Sequence, residues 1–353
     1  MTEAIQSTSN ISPLYPWHQR TWLKWRQRFA APRGVNALLL YGPAHSGKRS
    51  LARRLAQGLL CQTPEAGLDP CGHCPSCGWF SANTHPDFLS VEVEENSSVI
   101  KIDQIRELGA RMALTSHTGG RKIGLICAAD CLNTQAANGL LKTLEEPTAG
   151  TIYILVTSEP GALPLTLRSR CQKEAVFPED PSSVQQWLSA EGLPPTAFST
   201  SLNREMLKSP LFLRDLHTSG FTAILADFEL SLIELARGVH RIGFSQVVEQ
   251  WCKQDLGILL FFWTHWIETL IRFKLTLGTL RPAREPTPRF VEELNPLCEL
   301  TLLFSMRDQL IQARQSLRTA LNRQMLMESL LLLWVSLKDT PSEFVRHERL
   351  EKA

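Results

Sequence analysis

Four cysteines at Cys61, Cys71, Cys74 and Cys77 carry the clearest chemistry in this chain. Three of them form C-x-x-C-x-x-C, and the fourth lies a short loop upstream. Tetrahedral Zn²⁺ takes four soft ligands held close together, and Gly72 and Pro75 suit the tight turns this requires. The spacing therefore predicts a zinc module over 61–77. Four thiolates leave no open coordination position, so the metal is expected to be structural Zn²⁺ rather than catalytic. An iron–sulfur cluster is the alternative, because C-x-x-C-x-x-C runs also hold those. His73 lies inside the module and reads as a turn residue.

The second chemical feature precedes the cysteines. Gly42 and Gly47-Lys48 fit the phosphate loop G-x-x-x-x-G-K-[ST] up to its last position. In a working loop, backbone N–H groups wrap the phosphates, the lysine reaches the terminal ones, and the next hydroxyl holds Mg²⁺. Arg49 stands at the hydroxyl position and cannot ligate a cation. Ser50 comes one residue late, turned about 100° round a helix. Nucleotide hydrolysis also needs acidic groups at the end of a neighbouring strand. The strand "KIGLICAADCL" offers only Asp130, which could equally be a turn or cap residue. The sequence thus predicts a degenerate phosphate loop (Gly42, Gly47, Lys48, Ser50). Self-contained ATP hydrolysis is not expected, and ATP binding is left doubtful.

The elements around these residues follow from periodicity. Short apolar runs at Asn36–Gly42, 86–93, 122–130 and 150–160 read as strands, the middle ones bounded by helical patterns. One such pattern begins at Lys48. Another has Ile102, Ile105, Leu108 and Met112 on one face, and a third opens at a candidate cap, Asn133, and stops at Pro147. Strands alternating with helices predict a parallel α/β sheet covered on both faces. After Cys171 the chain becomes rich in proline and serine, then almost wholly helical from Pro210.

Composition narrows the rest. A length of 353 residues allows two or three domains, and a net charge of +2 excludes a general polycation. Any nucleic-acid contact must come from local clusters such as Arg20, Lys24, Arg26, Arg28 and Arg33, or Arg272, Lys274, Arg281, Arg284 and Arg289. The N-terminal residues lack the pattern of a signal peptide. The apolar window Leu256–Phe273 contains His265, Glu268 and Arg272, which a membrane span tolerates poorly, so it reads as a buried helix and no membrane is expected as a partner. Nine cysteines without a secretion signal point to reduced thiols or metal, and to the cytoplasm.

"NGLLKTLEEP", "VTSEPGALPLTLRSRC", the defective phosphate loop and the inserted four-cysteine knuckle together resemble the clamp-loader subunits of bacterial DNA polymerase III, an AAA+ family. "YPWHQRTW", "THPDF" and "LNRQMLMESLLLLW" add to the likeness. It is dense from about Tyr15 to Cys171, thin from Ala175 to Asn295, and modest after that. The resemblance implies an α/β AAA+ core over 1–172, a small helical lid over 173–209 and an all-α collar over 210–353. It implies a hetero-pentameric ring with gamma or tau and delta subunits that loads the sliding clamp onto primer-template DNA. It also implies that Arg170, within Ser169-Arg170-Cys171, acts in trans on a neighbour's ATP site. Without the resemblance, Arg168 and Arg170 read first as surface ion pairs.

Measured against that family, the acidic pair of ATP-hydrolysing members falls on Cys127 and Ala128, and a lid sensor arginine falls on Leu211. Both departures favour a non-hydrolysing member. A gamma- or tau-like motor and a stand-alone zinc-dependent DNA-binding protein are the alternatives.

Overall fold

The computed structural model describes residues 11–29, 35–95, 97–193, 206–238, 243–276, 288–317 and 322–336. The chain divides into two compact units. One comprises 1–192 with 203–214, and the other comprises 193–202 with 215–353.

The first unit is built on a five-stranded parallel sheet in the order β2-β3-β4-β1-β5. Its strands are β1 (Ala37–Tyr41), β2 (Phe88–Val91), β3 (Lys122–Ile126), β4 (Thr151–Thr157) and β5 (Gln172–Ala175). Four of these lie inside the expected apolar runs. β5 was not expected: "QKEA" is short and polar, and pairs along one side of β1 from Leu38↔Gln172 to Tyr41↔Ala175. An edge strand half open to water needs no apolar run.

Successive residues of each inner strand face opposite sides, as a pleated strand requires. Leu38, Leu40, Ile154 and Val156 pack with Trp22, Trp25, Leu51, Leu55 and Phe80. Leu39, Tyr153 and Leu155 pack on the other side with Ile105, Leu108, Met112, Ala136 and Leu140. The first layer comes from α1 (Gln19–Phe29), α2 (Lys48–Leu60) and α3 (Pro75–Ser81); the second comes from α4 (Ile102–Ala113), α5 (Thr134–Glu145) and α6 (Leu165–Arg170). Asn133 caps α5 as its sequence suggests, its side chain accepting from the Ala136 N–H at 2.8 Å. α7 (Pro181–Ala190) completes this unit together with the start of α8 (Pro210–Thr218).

Among the described residues the second unit is helical: the rest of α8, then α9 (Phe221–Arg237), α10 (Phe244–Cys252), α11 (Leu256–Leu275), α12 (Arg289–Leu294), α13 (Leu300–Ser316) and α14 (Arg323–Ser336). α11 has the length and hydropathy of a membrane-crossing helix. It is the core helix of this unit, with Trp263, Trp266, Ile267 and Leu270 buried. Their rings meet Phe228, Phe290 and Trp334, and the Trp334 indole donates to Leu232 O at 2.8 Å.

Candidate functional site

The phosphate loop leaves the carboxyl end of β1 and enters α2, where an open α/β sheet places its ligand crevice. Gly47 precedes α2 with φ of 81°, and a Cβ there would lie 2.8 Å from both His18 Cε1 and Tyr15 Cδ2. The chain before α1 therefore lies directly against the loop. The Trp17 indole donates to Ser46 O at 2.9 Å, and His18 Nε2 approaches the same oxygen at 3.0 Å. Tyr15 and Trp17 stack and meet the Trp187 ring edge-on. The Ser46 hydroxyl donates to Val176 O at 2.8 Å, and the Leu211 N–H donates to His45 O at 3.2 Å. The loop is thus bonded to three separate stretches of the chain.

The groups that would handle nucleotide are engaged elsewhere. Lys48 is buried, and its ammonium donates back to Gly42 O (2.9 Å) and Pro43 O (2.5 Å). Burial pushes its pKa down to about 8, with the Asp130 charge opposing. Arg49 pairs with Glu92 at 2.6 Å. The Ser50 hydroxyl donates to Pro13 O at 2.8 Å. Asp130 is a turn residue: one carboxylate oxygen accepts from the Thr157 hydroxyl (2.6 Å) and the Ser158 N–H (3.2 Å). At the end of β3, Cys127 is a buried thiol raised to about 11 by desolvation, so it is neutral at pH 7 and carries no charge to hold a cation. Leu211, at the expected sensor position, is buried.

His18 gives this packing a pH signature. It is 1% exposed, its Nε2–H donates to Ser46 O, and its Nδ1 has no partner. Burial lowers its pKa from 6.5 to about 4, against the Ser46 hydrogen bond. Between those values the unfolded chain binds a proton that the folded chain refuses. Its stabilisation is complete above pH 6.5 and is lost as pH falls toward 4, about 3 kcal/mol in all. Unfolding free energies from urea titrations at pH 7.5 and pH 5 are expected to differ more in the native chain than in His18→Gln, by roughly 2 kcal/mol. Equal shifts in both proteins would contradict the assignment.

The cysteine cluster assembles as its spacing predicts. Cys61 follows the last residue of α2, Cys71 lies in the loop before α3, Cys74 caps α3 and Cys77 lies in its first turn. Their four sulfurs lie within 4.8 Å of one another, Cys61–Cys71 at 3.5 Å and Cys61–Cys74 at 3.9 Å. Tetrahedral Zn²⁺ with bonds of about 2.3 Å sets sulfur–sulfur edges of about 3.8 Å, whereas a disulfide holds its sulfurs at about 2.05 Å. All four thiols are free. Backbone N–H groups of Cys71, Cys74 and Cys77 each point at the preceding cysteine sulfur at 3.4 Å, an arrangement that favours thiolate. The donor set and spacing fit a four-sulfur metal site. His73 bonds Cys71 O through Nδ1 and is exposed. The loop before the knuckle is seated so closely on α2 that a Cβ on Gly58 would fall 2.0 Å from Leu68 O. Asp69, next in that loop, accepts from the Trp22 indole (2.9 Å) and Arg54 (3.2 Å).

Arg170 ends α6 and is exposed. It pairs with Glu145 at 2.5 Å and donates to Thr166 O at 3.0 Å. Arg168 differs: its Nε is buried with no hydrogen-bond partner.

Along nearly its full length this chain is similar to the DNA polymerase III subunit delta' of Pseudomonas aeruginosa, with 34% identity over 331 residues, 93% of this chain and 99% of that one. The chain belongs to the DNA polymerase III delta' family. The family model described as "DNA polymerase III, delta subunit" matches residues 17–179. The delta' subunit of Escherichia coli K12 is 38% identical over 177 residues, 50% of this chain and 53% of that one. Among solved structures, a DNA polymerase III gamma subunit-related protein of Thermotoga maritima aligns at 17% identity and a TM-score of 0.43, over 90% of this chain and 99% of that one.

In this delta' family member the expected basic patches are largely neutralised. Arg20 pairs with Glu179, Lys24 with Glu174, and Arg26 with Asp69. Arg272 and Arg289 pair with Glu268 and Glu293, and Lys274 donates to Asn295 O. Arg33, Arg281 and Arg284 lie outside the described residues. Sequence reasoning did not single out Glu92, Glu145, Ser76 or His85. Their signals were faint: "THPDF" holds His85 and "NGLLKTLEEP" holds Glu145, but neither motif says what those side chains meet.

Proposed function

We propose that this delta' family member is a non-hydrolysing clamp-loader subunit of DNA polymerase III. In this reading it sits in the cytoplasm in a hetero-pentameric ring with gamma or tau and delta subunits. The ring loads the sliding clamp onto primer-template DNA. The chain contributes Arg170 to the ATP site of its neighbour and binds structural Zn²⁺ through Cys61, Cys71, Cys74 and Cys77. The proposed domains are a core over 1–172, a lid over 173–209 and a collar over 210–353.

The observation that carries the non-hydrolysing part is the replacement of two groups a motor needs, beside a Lys48 that bonds two carbonyls of its own loop. Arg49 and Cys127 stand where a motor needs a hydroxyl and an acid. The purified chain with Mg²⁺-ATP is expected to release phosphate at background rate, and Arg49→Thr alone is not expected to change that. Brisk turnover by the isolated chain would favour a gamma- or tau-like motor instead.

A further inference from the structure

Ser76 stands between two cysteines of the cluster and is 1% exposed. Its hydroxyl oxygen lies 2.6 Å from Leu60 O and 2.8 Å from His85 Nε2. A serine hydroxyl has one proton. A carbonyl can only accept, so that proton goes to Leu60 O. At His85 the serine oxygen must then accept, and Nε2 carries the hydrogen. The other ring nitrogen, Nδ1, is left with a lone pair, and it receives the Asp87 N–H at 3.1 Å. Every group in the series has one role, and the relay runs one way: Asp87 N–H to His85, His85 to Ser76, Ser76 to the Leu60 carbonyl.

Both ends of the relay are informative. Leu60 is the last residue of α2, and the next residue is Cys61. The four sulfurs come from two pieces of chain, Cys61 from the residue after α2 and the other three from the loop before α3 and its first turn. Ser76 joins those pieces without using a sulfur. At the far end, Asp87 precedes β2, and its carboxylate accepts from the Ser116 hydroxyl, the His117 N–H and both the N–H and hydroxyl of Thr118. His85 is therefore referenced to the loop that leads into β3. It is itself buried, with the Trp79 ring packed edge-on.

We propose that Ser76, oriented by His85, is a positioning residue for the metal, fixing the separation of Cys61 from the Cys71–Cys77 turn. This rests on the metal reading above. Groups that orient metal ligands from outside the coordination sphere typically change affinity 10–100-fold when removed.

The test titrates the full chain, stripped of metal, with Zn²⁺ against a chromophoric chelator, and with Co²⁺ while its thiolate charge-transfer bands are followed. Ser76→Ala is expected to lower Zn²⁺ affinity roughly tenfold or more and to alter the Co²⁺ spectrum, with a smaller loss of stability in the metal-free chain than in the metal-loaded one. Ser76→Thr, which restores the hydroxyl, should recover affinity. If Ser76→Ala does not fold, His85→Ala keeps the hydroxyl but frees its orientation and should lose affinity in the same direction. Native affinity in Ser76→Ala, or an equal loss of stability with and without metal, would overturn the proposal. A native chain that takes up neither ion would overturn the metal reading and this inference with it, a result distinct from the other two.

Discussion

Replacing Arg170 with alanine is expected to lower ATP turnover at the adjoining site of a reconstituted loader ring by about 10³-fold or more, the range for an arginine supplied in trans to phosphoryl transfer. The ring should still assemble. The ion pair that now holds Arg170 is with Glu145, and both side chains are well exposed, at 37% and 49%. Exposed pairs contribute roughly 0–1 kcal/mol, so the guanidinium can leave Glu145 at small expense when a phosphate is offered. Its backbone stays fixed as the last residue of the short helix α6, and the guanidinium gives up one further bond, from Nη1 to Thr166 O, as it moves. Arg170→Lys keeps the charge but not the planar fork, and should recover only part of the rate. Glu145→Gln should leave turnover nearly intact. The measurement is single-site turnover in a ring whose other ATP sites are silenced, with assembly checked by size-exclusion chromatography. Undiminished turnover with alanine at 170 would remove the proposed role.

Which of these features the sequence disclosed follows from the range of the interactions involved. Four of the strands, helices α2, α4 and α5, and the cysteine cluster were legible because their signals are local: apolar runs, 3.6-residue periodicity, a cap at Asn133 and a ligand spacing. What was not legible depends on distant partners. β5 reads as four polar residues and becomes a strand only because β1 offers it an edge. The α1 basic run suggested a nucleic-acid surface, yet Lys24 and Arg20 find Glu174 and Glu179 some 150 residues later. Lys48 is the sharpest case. The motif names its usual partner as phosphate, and nothing in the one-dimensional pattern shows that two loop carbonyls take its place, or that Tyr15, Trp17 and His18 close over the turn.

Removing the metal should have the second largest effect, because a four-thiolate site contributes its binding free energy to folding, on the order of 10 kcal/mol for structural zinc in small modules at neutral pH. The segment it closes has little else to hold it. Between Cys61 and Cys77 the chain offers one short bridge, Glu65 with Asp69, the buried side chain of Leu68, the contacts of Asp69, the Arg26 bond to Ala66 O and the Ser76 bonds to Leu60 O and His85. Without metal, three to four thiols must share a small buried volume, and burial already pushes Cys61 and Cys77 above the usual thiol range. A bound cation would reverse this by stabilising the thiolates, and each proton it displaced would make binding weaken as pH falls. The native chain is expected to carry one Zn²⁺ and to be colourless, whereas a brown protein would point to the iron–sulfur alternative. Cys74→Ser or exhaustive chelation should expose 62–73 to protease. Either should also lower the melting midpoint of the first unit on the order of 10 °C, at about 2–4 °C per kcal/mol for a unit of this size. The whole effect need not reach the sheet, since Gly58 and Asp69 still seat the loop on α2 through contacts that no metal makes. A chelated chain with unchanged protease resistance and melting curve would mean that the four sulfurs meet without a structural ion.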